Sequence, residues 1–166
     1  MRERQTARMI LLDQTRRILL FEISAPATTD SGIAPRPVRW IGPGGGIEPG
    51  ESPLDAAHRE LFEETGLRGL TLSDQIATFA YDATLDGESL HIVHHVFVAT
   101  VDAGDIDHSG MGEDELVMIN GFRWWSLDEL RDEKPDVRPP GFVELVERVV
   151  KETDWRFGHW SITPLE

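Results

Sequence analysis

One stretch, Gly45 to Leu67, limits what this chain can fold into more than any other; it reads GGIEPGESPLDAAHRELFEETGL. Its first half is a turn and its second half has the periodicity of a helix. Ser52 stands at an N-cap position, Pro53 suits the first helical residue, and Asp55 falls in the first turn, where the helix dipole favours a carboxylate. Gly66 is a stop signal. Leu54, Ala57, Leu61 and Thr65 recur at helical spacing and predict the buried stripe. Glu60, Glu63 and Glu64 are separated by three and four residues, which sets them on one face beside that stripe.

Carboxylates crowded on one helical face repel each other. A structural helix would interleave lysine or arginine, but only Arg59 is adjacent, with a spacing that allows a pair to Glu63. A hard divalent cation, Mg²⁺ or Mn²⁺, is the most economical compensation, because such ions prefer oxygen ligands. Taken alone, the glutamates read more simply as a solvated acidic face. The preceding glycines change that weighing. Gly42, Gly44, Gly45 and Gly46 allow a backbone to bend tightly and approach a ligand, and Pro43 and Pro49 stiffen the same loop. An ordinary strand-to-helix turn does not need so many. Glu51, just before the helix, can fold back onto Arg59.

Gly45 to Leu67 matches every position of the Nudix box, and on these residues the chain resembles the Nudix hydrolases. The fixed residues of the box recur by chance in roughly one window per hundred million or fewer. The box covers a small part of the chain; elsewhere the resemblance is one of order, with strands before, strands after and a late helix. By this resemblance Glu60, Glu63 and Glu64 are metal ligands, directly or through water, and the carbonyl of Gly44 or Gly45 lies near the metal. Gly45 and Gly46 face the substrate. Arg59 and Glu51 orient the site. The implied reaction is hydrolysis of a diphosphate linkage in a nucleoside diphosphate joined to another group, by water attack at phosphorus. Several Nudix hydrolases draw an extra ligand or general base from a loop after the sheet; here Glu113 or Glu115 could fill that place, in competition with Glu63. A solvated acidic loop is the plain alternative.

Length fits one domain, residues 1–166, with a sizeable core. No apolar run is long enough for a signal peptide or a membrane span, since Asp13 ends the first one. The sequence has no cysteine, which excludes disulfides, thiolate catalysis and cysteine-bound zinc, and fits a cytoplasmic protein. A formal net charge of −14 argues against nucleic-acid binding, and agrees with a polyanionic substrate only if cations bridge it to the protein.

Thr6 to Leu12 and Arg17 to Ile23 read as a hairpin of strands buried on both faces. Ser24 to Pro37 is a long loop, either a lid or a surface excursion. Arg36 and Arg39 flank its end; Arg39 is the better placed to meet a substrate phosphate. Trp40 and Ile41 lead into the glycine turn. Leu70 to Leu85 reads as a broken strand, Ser89 to Val101 as a clear one, with a hairpin turn at Asp86-Gly87-Glu88. His91 and His95 would share a strand face about 13 Å apart, with His94 on the other, so they cannot hold one ion together. Gly121 to Ser126 is an aromatic strand capped into a helical turn by Ser126, a passage similar to the late segment of many Nudix domains. Phe142, Leu145, Val149 and Val150 stripe a packing helix. Trp155, Phe157 and Trp160 suit packing on the domain or at a dimer interface better than base stacking.

The expected fold is α/β, a Nudix α/β/α sandwich with a mixed β-sheet between the box helix and the Phe142 helix. The expected function is metal-dependent hydrolysis of a small nucleotide-type diphosphate, with a homodimer common in the resembled family. Its rival is a non-catalytic Nudix-fold ligand-binding or sensor module. Relatives of that kind often lose box glutamates, and none is lost here. A Nudix-fold isomerase would want a reactive cysteine. No proline stands at Asp82 or Ala83, where relatives that cleave ADP-ribose tend to carry one, and Tyr81 is out of register with the tyrosine typical of relatives that cleave dinucleoside polyphosphates.

Overall fold

A computed structural model describes residues 1–24, 37–85, 87–102, 106–107, 109–113, 118–151 and 160–161. Most of the Ser24–Pro37 loop, Arg36, Asp86, Glu115, Trp155 and Phe157 lie outside the described residues.

The chain's first strand, β1 (Arg2–Leu12), is the axis of a mixed sheet. It runs parallel to β6 (Glu88–Thr100) along its whole length, from Arg2 opposite Leu90 to Leu12 opposite Thr100. β5 (Ala77–Leu85) is antiparallel to β6, joined by the turn at Gly87, whose φ of 80° suits glycine. On the other side, β2 (Ile18–Ile23) is antiparallel to β1 through Leu12 and Ile18. Asp13 closes that hairpin: its buried carboxylate accepts from the backbone N–H groups of Thr15 and Arg17, the Thr15 hydroxyl and Arg17 Nε. β3 (Arg39–Ile41), β4 (Gly44–Gly46), β7 (Ile119–Trp125), β8 (Val137–Arg138) and β9 (Trp160–Ser161) complete the nine strands among the described residues.

Each face of this sheet carries a core, because β1 and β2 are apolar on both sides. Ala7, Met9, Leu11, Leu19 and Phe21 pack with Ala56, Ala57 and Leu61 of helix α1 (Pro53–Thr65). Ile10, Leu12, Ile18 and Leu20 pack with Phe142, Leu145, Val146 and Val149 of a later helix. Each of the larger side chains, alanines excluded, contributes roughly 1.5–3 kcal/mol on burial. That later helix is α3 (Phe142–Lys151), and α2 (Leu127–Glu133) precedes it with a capping box formed by Ser126 and Glu129. The sandwich anticipated from sequence is therefore present, box helix on one face and Phe142 helix on the other. Among the described residues no helix is long and apolar enough to cross a membrane.

Three local expectations need correction. Leu54 does not join the buried stripe of α1: it is 41% exposed, whereas Ala57, Leu61 and Thr65 are buried as expected and Ala56, Glu60 and Glu64 join them. On α3, Val146 takes the fully buried place and Val150 is only partly covered. Strand β5 begins at Ala77, because Ser73 takes the ladder position ahead of it: its hydroxyl accepts from Val98 N–H and its own N–H donates to Val98 C=O.

Candidate active site

Helix α1 has the predicted ends. The Ser52 hydroxyl accepts from Asp55 N–H at 3.1 Å, and Gly66, at φ 71°, donates its N–H to Phe62 C=O. Between them the box glutamates divide into two kinds. Glu60 and Glu64 are buried at 4% and 5% exposure, against the sheet, whereas the Glu63 side chain keeps 35% of its surface in solvent.

The glycine strand is what permits two carboxylates to be buried. Gly44 has φ 138°, and a Cβ there would fall 2.1 Å from Ala7 O. Its N–H donates to Glu64 Oε2 at 2.5 Å. A Cβ on Gly45 would fall 2.5–2.7 Å from the carboxyl atoms of Glu60, so the carboxylate lies directly on bare backbone. Gly46 meets no such obstacle and serves the site through its carbonyl, which accepts from Arg59 Nη2 at 2.9 Å.

Arg59 ties these parts together. Its Nε and Nη2 donate to the two oxygens of Glu51, each at 2.9 Å, in a fork that fixes the loop to the helix. Its Nη1 donates to Glu60 Oε1 at 2.8 Å and to Glu63 Oε2 at 3.2 Å. The same hydrogen bonds lower the Glu51 pKa to about 2 and hold the guanidinium above its ordinary range. Among the described residues no group of three His, Asp or Glu side chains is drawn into a ready metal cage. Instead two glutamates converge on one guanidinium nitrogen, so the place where their oxygens meet is occupied by positive charge.

These residues line an open cleft of about 570 Å³ formed by Gly46, Ile47, Glu48 and Pro49 on one wall and Arg59, Glu60 and Glu63 on the other, with Gly110 and Gly112 at its end. Gly110 fits so closely on α1 that a Cβ would come within 2.8 Å of Glu63 O. Glu113 follows this loop and is exposed outside the lining set, while Glu115 is outside the described residues. Arg39 is exposed on β3 and pairs with Asp136 at 3.4 Å instead of facing the cleft. The histidines behave as sheet residues: His91 meets Asp82, His95 meets Gln75 and Gln5, and His94 meets Thr6 on the opposite face.

One residue was not singled out from the sequence. Arg8, on β1, donates from Nη1 to Gly42 C=O at 3.0 Å and to Gly44 C=O at 2.6 Å, and so splints the glycine loop from behind. Burial lowers its pKa, and the charge of Glu64 opposes that shift. An arginine entering an otherwise apolar strand run was the available signal.

The match to a known family covers most of the chain: residues 2–146 fit the NUDIX domain model. An RNA pyrophosphohydrolase from Rhodopseudomonas palustris is 33% identical over 123 residues, 68% of each chain. Another RNA pyrophosphohydrolase, from Bartonella bacilliformis, is 54% identical over 44 residues, and that match spans only 26% of each chain. Among solved structures, the MutT protein from Bacillus halodurans superposes with a TM-score of 0.64 at 22% identity, over 96% of this chain and 88% of its own. The chain belongs to the Nudix family.

Proposed function

We propose that the protein is a divalent-metal-dependent diphosphate hydrolase that cleaves a pyrophosphate linkage in a nucleotide-type substrate by water attack at phosphorus. The observation that carries this reading is the convergence of Glu60 and Glu63 on one positive point at the wall of an open cleft, beside Glu64. A box made only of carboxylate and carbonyl oxygens fits a hard cation, Mg²⁺ or Mn²⁺, and the bare backbone at Gly45 leaves room for the carboxylate to turn toward it. Glu60, Glu63 and Glu64 would hold the ion, with the carbonyl of Gly44 or Gly45 nearby. When bound, such an ion neutralises charge on phosphate oxygens and lowers the pKa of a coordinated water.

The protein's own residues divide the remaining work. Glu63 is the box carboxylate that solvent reaches, which suits it to accept a proton from the attacking water. Glu51 and Arg59 set the loop against the helix so that the carboxylates keep their places. Arg8 holds the loop from the other side. The relatives named as RNA pyrophosphohydrolases support a phosphoanhydride bond as the target.

A substrate panel tests this reading. Nucleoside triphosphates, nucleotide sugars, ADP-ribose and dinucleoside polyphosphates are offered with Mg²⁺, and phosphate or phosphomonoester release is measured. Release from at least one substrate, abolished by EDTA, is the expected result. No release from any substrate, with Mg²⁺ or Mn²⁺, would overturn it.

A further inference from the structure

Strand β4 pairs with β1 and with no other strand among the described residues. Met9 N–H donates to Pro43 C=O at 2.8 Å, and Ile47 N–H to Gln5 C=O at 3.0 Å. In an antiparallel ladder hydrogen-bonded pairs alternate with the other kind, and Arg8 opposite Gly44 is of the other kind. The N–H and C=O of Gly44 therefore point away from β1, to the outer edge of β4. Gly44 is buried, so these groups need partners.

Two side chains of opposite charge supply them. Glu64 comes from α1, and its Oε2 accepts from Gly44 N–H at 2.5 Å. Arg8 comes from the other face of the sheet, which it shares with Ile10 and Leu12 of the α3 core. Its Nη1 donates to Gly44 C=O at 2.6 Å and to Gly42 C=O at 3.0 Å. One residue thus carries a carboxylate on its N–H and a guanidinium on its C=O. Gly42 is fixed in turn by α3, since a Cβ there would fall 3.1 Å from the Phe142 ring. Gly46 repeats half of the pattern: its C=O accepts from Arg59 Nη2 at 2.9 Å.

The charges match across this bridge. Glu64 is 5% exposed and Arg8 is half-buried. The hydrogen bonds of Arg8 among the described residues all go to backbone carbonyls. Burial lowers its pKa, and of the charges around it that of Glu64 opposes this most. A buried charge is costly without a counter-charge, and removing one member of a buried pair leaves the other to bear that cost.

We propose that Arg8 is the counter-ion and positioning residue of Glu64, acting through the Gly44 backbone: the arginine fixes the Gly44 carbonyl, and the Gly44 N–H fixes the carboxylate for the cation. The proposal rests on the diphosphate-hydrolase reading only for the metal-binding role of Glu64. The pairing itself is tested without metal.

Melting of a double-mutant cycle in EDTA is the first arm. Arg8→Gln removes the charge, and Glu64→Gln keeps the shape and an oxygen for Gly44 N–H. The losses in melting temperature are expected to fall short of additivity by about 4 °C, because the double variant strands neither charge. Arg8→Gln combined with Glu63→Gln, whose carboxylate bonds to Arg59 instead, should be additive within about 1 °C. Additive losses with Glu64, or an equal shortfall with Glu63, overturn the pairing. Arg8→Met takes the place of Arg8→Gln should that variant not fold.

Mn²⁺ affinity, followed by electron paramagnetic resonance at a temperature where every variant is folded, is the second arm. Arg8→Gln is expected to weaken binding about tenfold in the wild-type background and less than about twofold in the Glu64→Gln background. Arg8→Lys, which keeps the charge, should recover most of the loss. A merely loosened loop would weaken binding equally in both backgrounds, and that result overturns the positioning role. Absence of Mn²⁺ binding by the wild type would sink the hydrolase reading and the positioning role together, while the melting cycle still decides the pairing.

Discussion

The two faces of the sheet solve opposite electrostatic problems. On the α1 face, two glutamates of one helix are packed against a glycine strand beside a third, and Arg59 is shared by Glu51, Glu60 and Glu63. On the α3 face, Thr6 of β1 and Tyr81 of β5 hold the buried His94 between their hydroxyls, with Arg4 and Arg8 in the neighbouring rows. The first arrangement is local, within one turn and one helix. The second exists only once distant strands are aligned. The comparison teaches that this fold sets a helix-encoded acidic site against a register-encoded polar cluster across β1, with Arg8 and Gly44 at the boundary.

Substitutions at the acidic site should have the largest effects. Glu63→Gln and Glu64→Gln are each expected to lower kcat by about 10³-fold while far-ultraviolet circular dichroism stays unchanged. Retained turnover in both would remove the carboxylates from the chemistry. Within the glycine strand the stability effects should split. Gly44→Ala meets Ala7 O at 2.1 Å with φ 138° and should cost about 3 kcal/mol, whereas Gly46→Ala meets nothing and should stay within about 0.5 kcal/mol. Urea denaturation of the two variants would check this, and equal losses would contradict the geometry.

A smaller loss is expected from Arg59→Gln, which leaves the glutamates in place but frees Glu51 and the loop. Activity should fall about 10–100-fold, with a raised requirement for metal. The smallest effect lies on the opposite face. Burial lowers the His94 pKa from 6.5 to about 3, assisted by the charges of Arg8, Arg4 and His95. The unfolded chain therefore binds a proton that the folded chain refuses between those values, so this stability is complete above pH 6.5 and is lost as pH falls toward 3. His94→Gln should flatten the curve between pH 6.5 and 5 by about 1.4 kcal/mol per pH unit at most. An unchanged slope in melting experiments would mean that His94 charges freely.

Much of this molecule could be read from sequence because its signals are local. The caps at Ser52 and Gly66, the Glu51–Arg59 fork and the aromatic strand into Ser126 each depend on residues close in the chain. Two parts could not be read that way. Helical spacing placed Glu60, Glu63 and Glu64 on one face but could not say that two would be buried on glycine backbone while one met solvent; that follows from Gly44 and Gly45 lying alongside α1. The arginines of β1 alternate visibly, yet their meaning depends on the parallel pairing with β6, which brings Tyr81 and His94 beside them from some eighty residues away. Arg39 shows the same limit: its strand was anticipated, but Asp136 and Arg138 come to it only through the β3–β8 pairing.

Manganese binding tests the central claim most directly. Mn²⁺ is titrated into wild type, Glu63→Gln and Glu64→Gln, and the free-ion electron paramagnetic resonance signal is followed. The account predicts saturable binding by the wild type, weakened at least about tenfold in each variant. Identical binding in all three proteins, or none in the wild type, would contradict it.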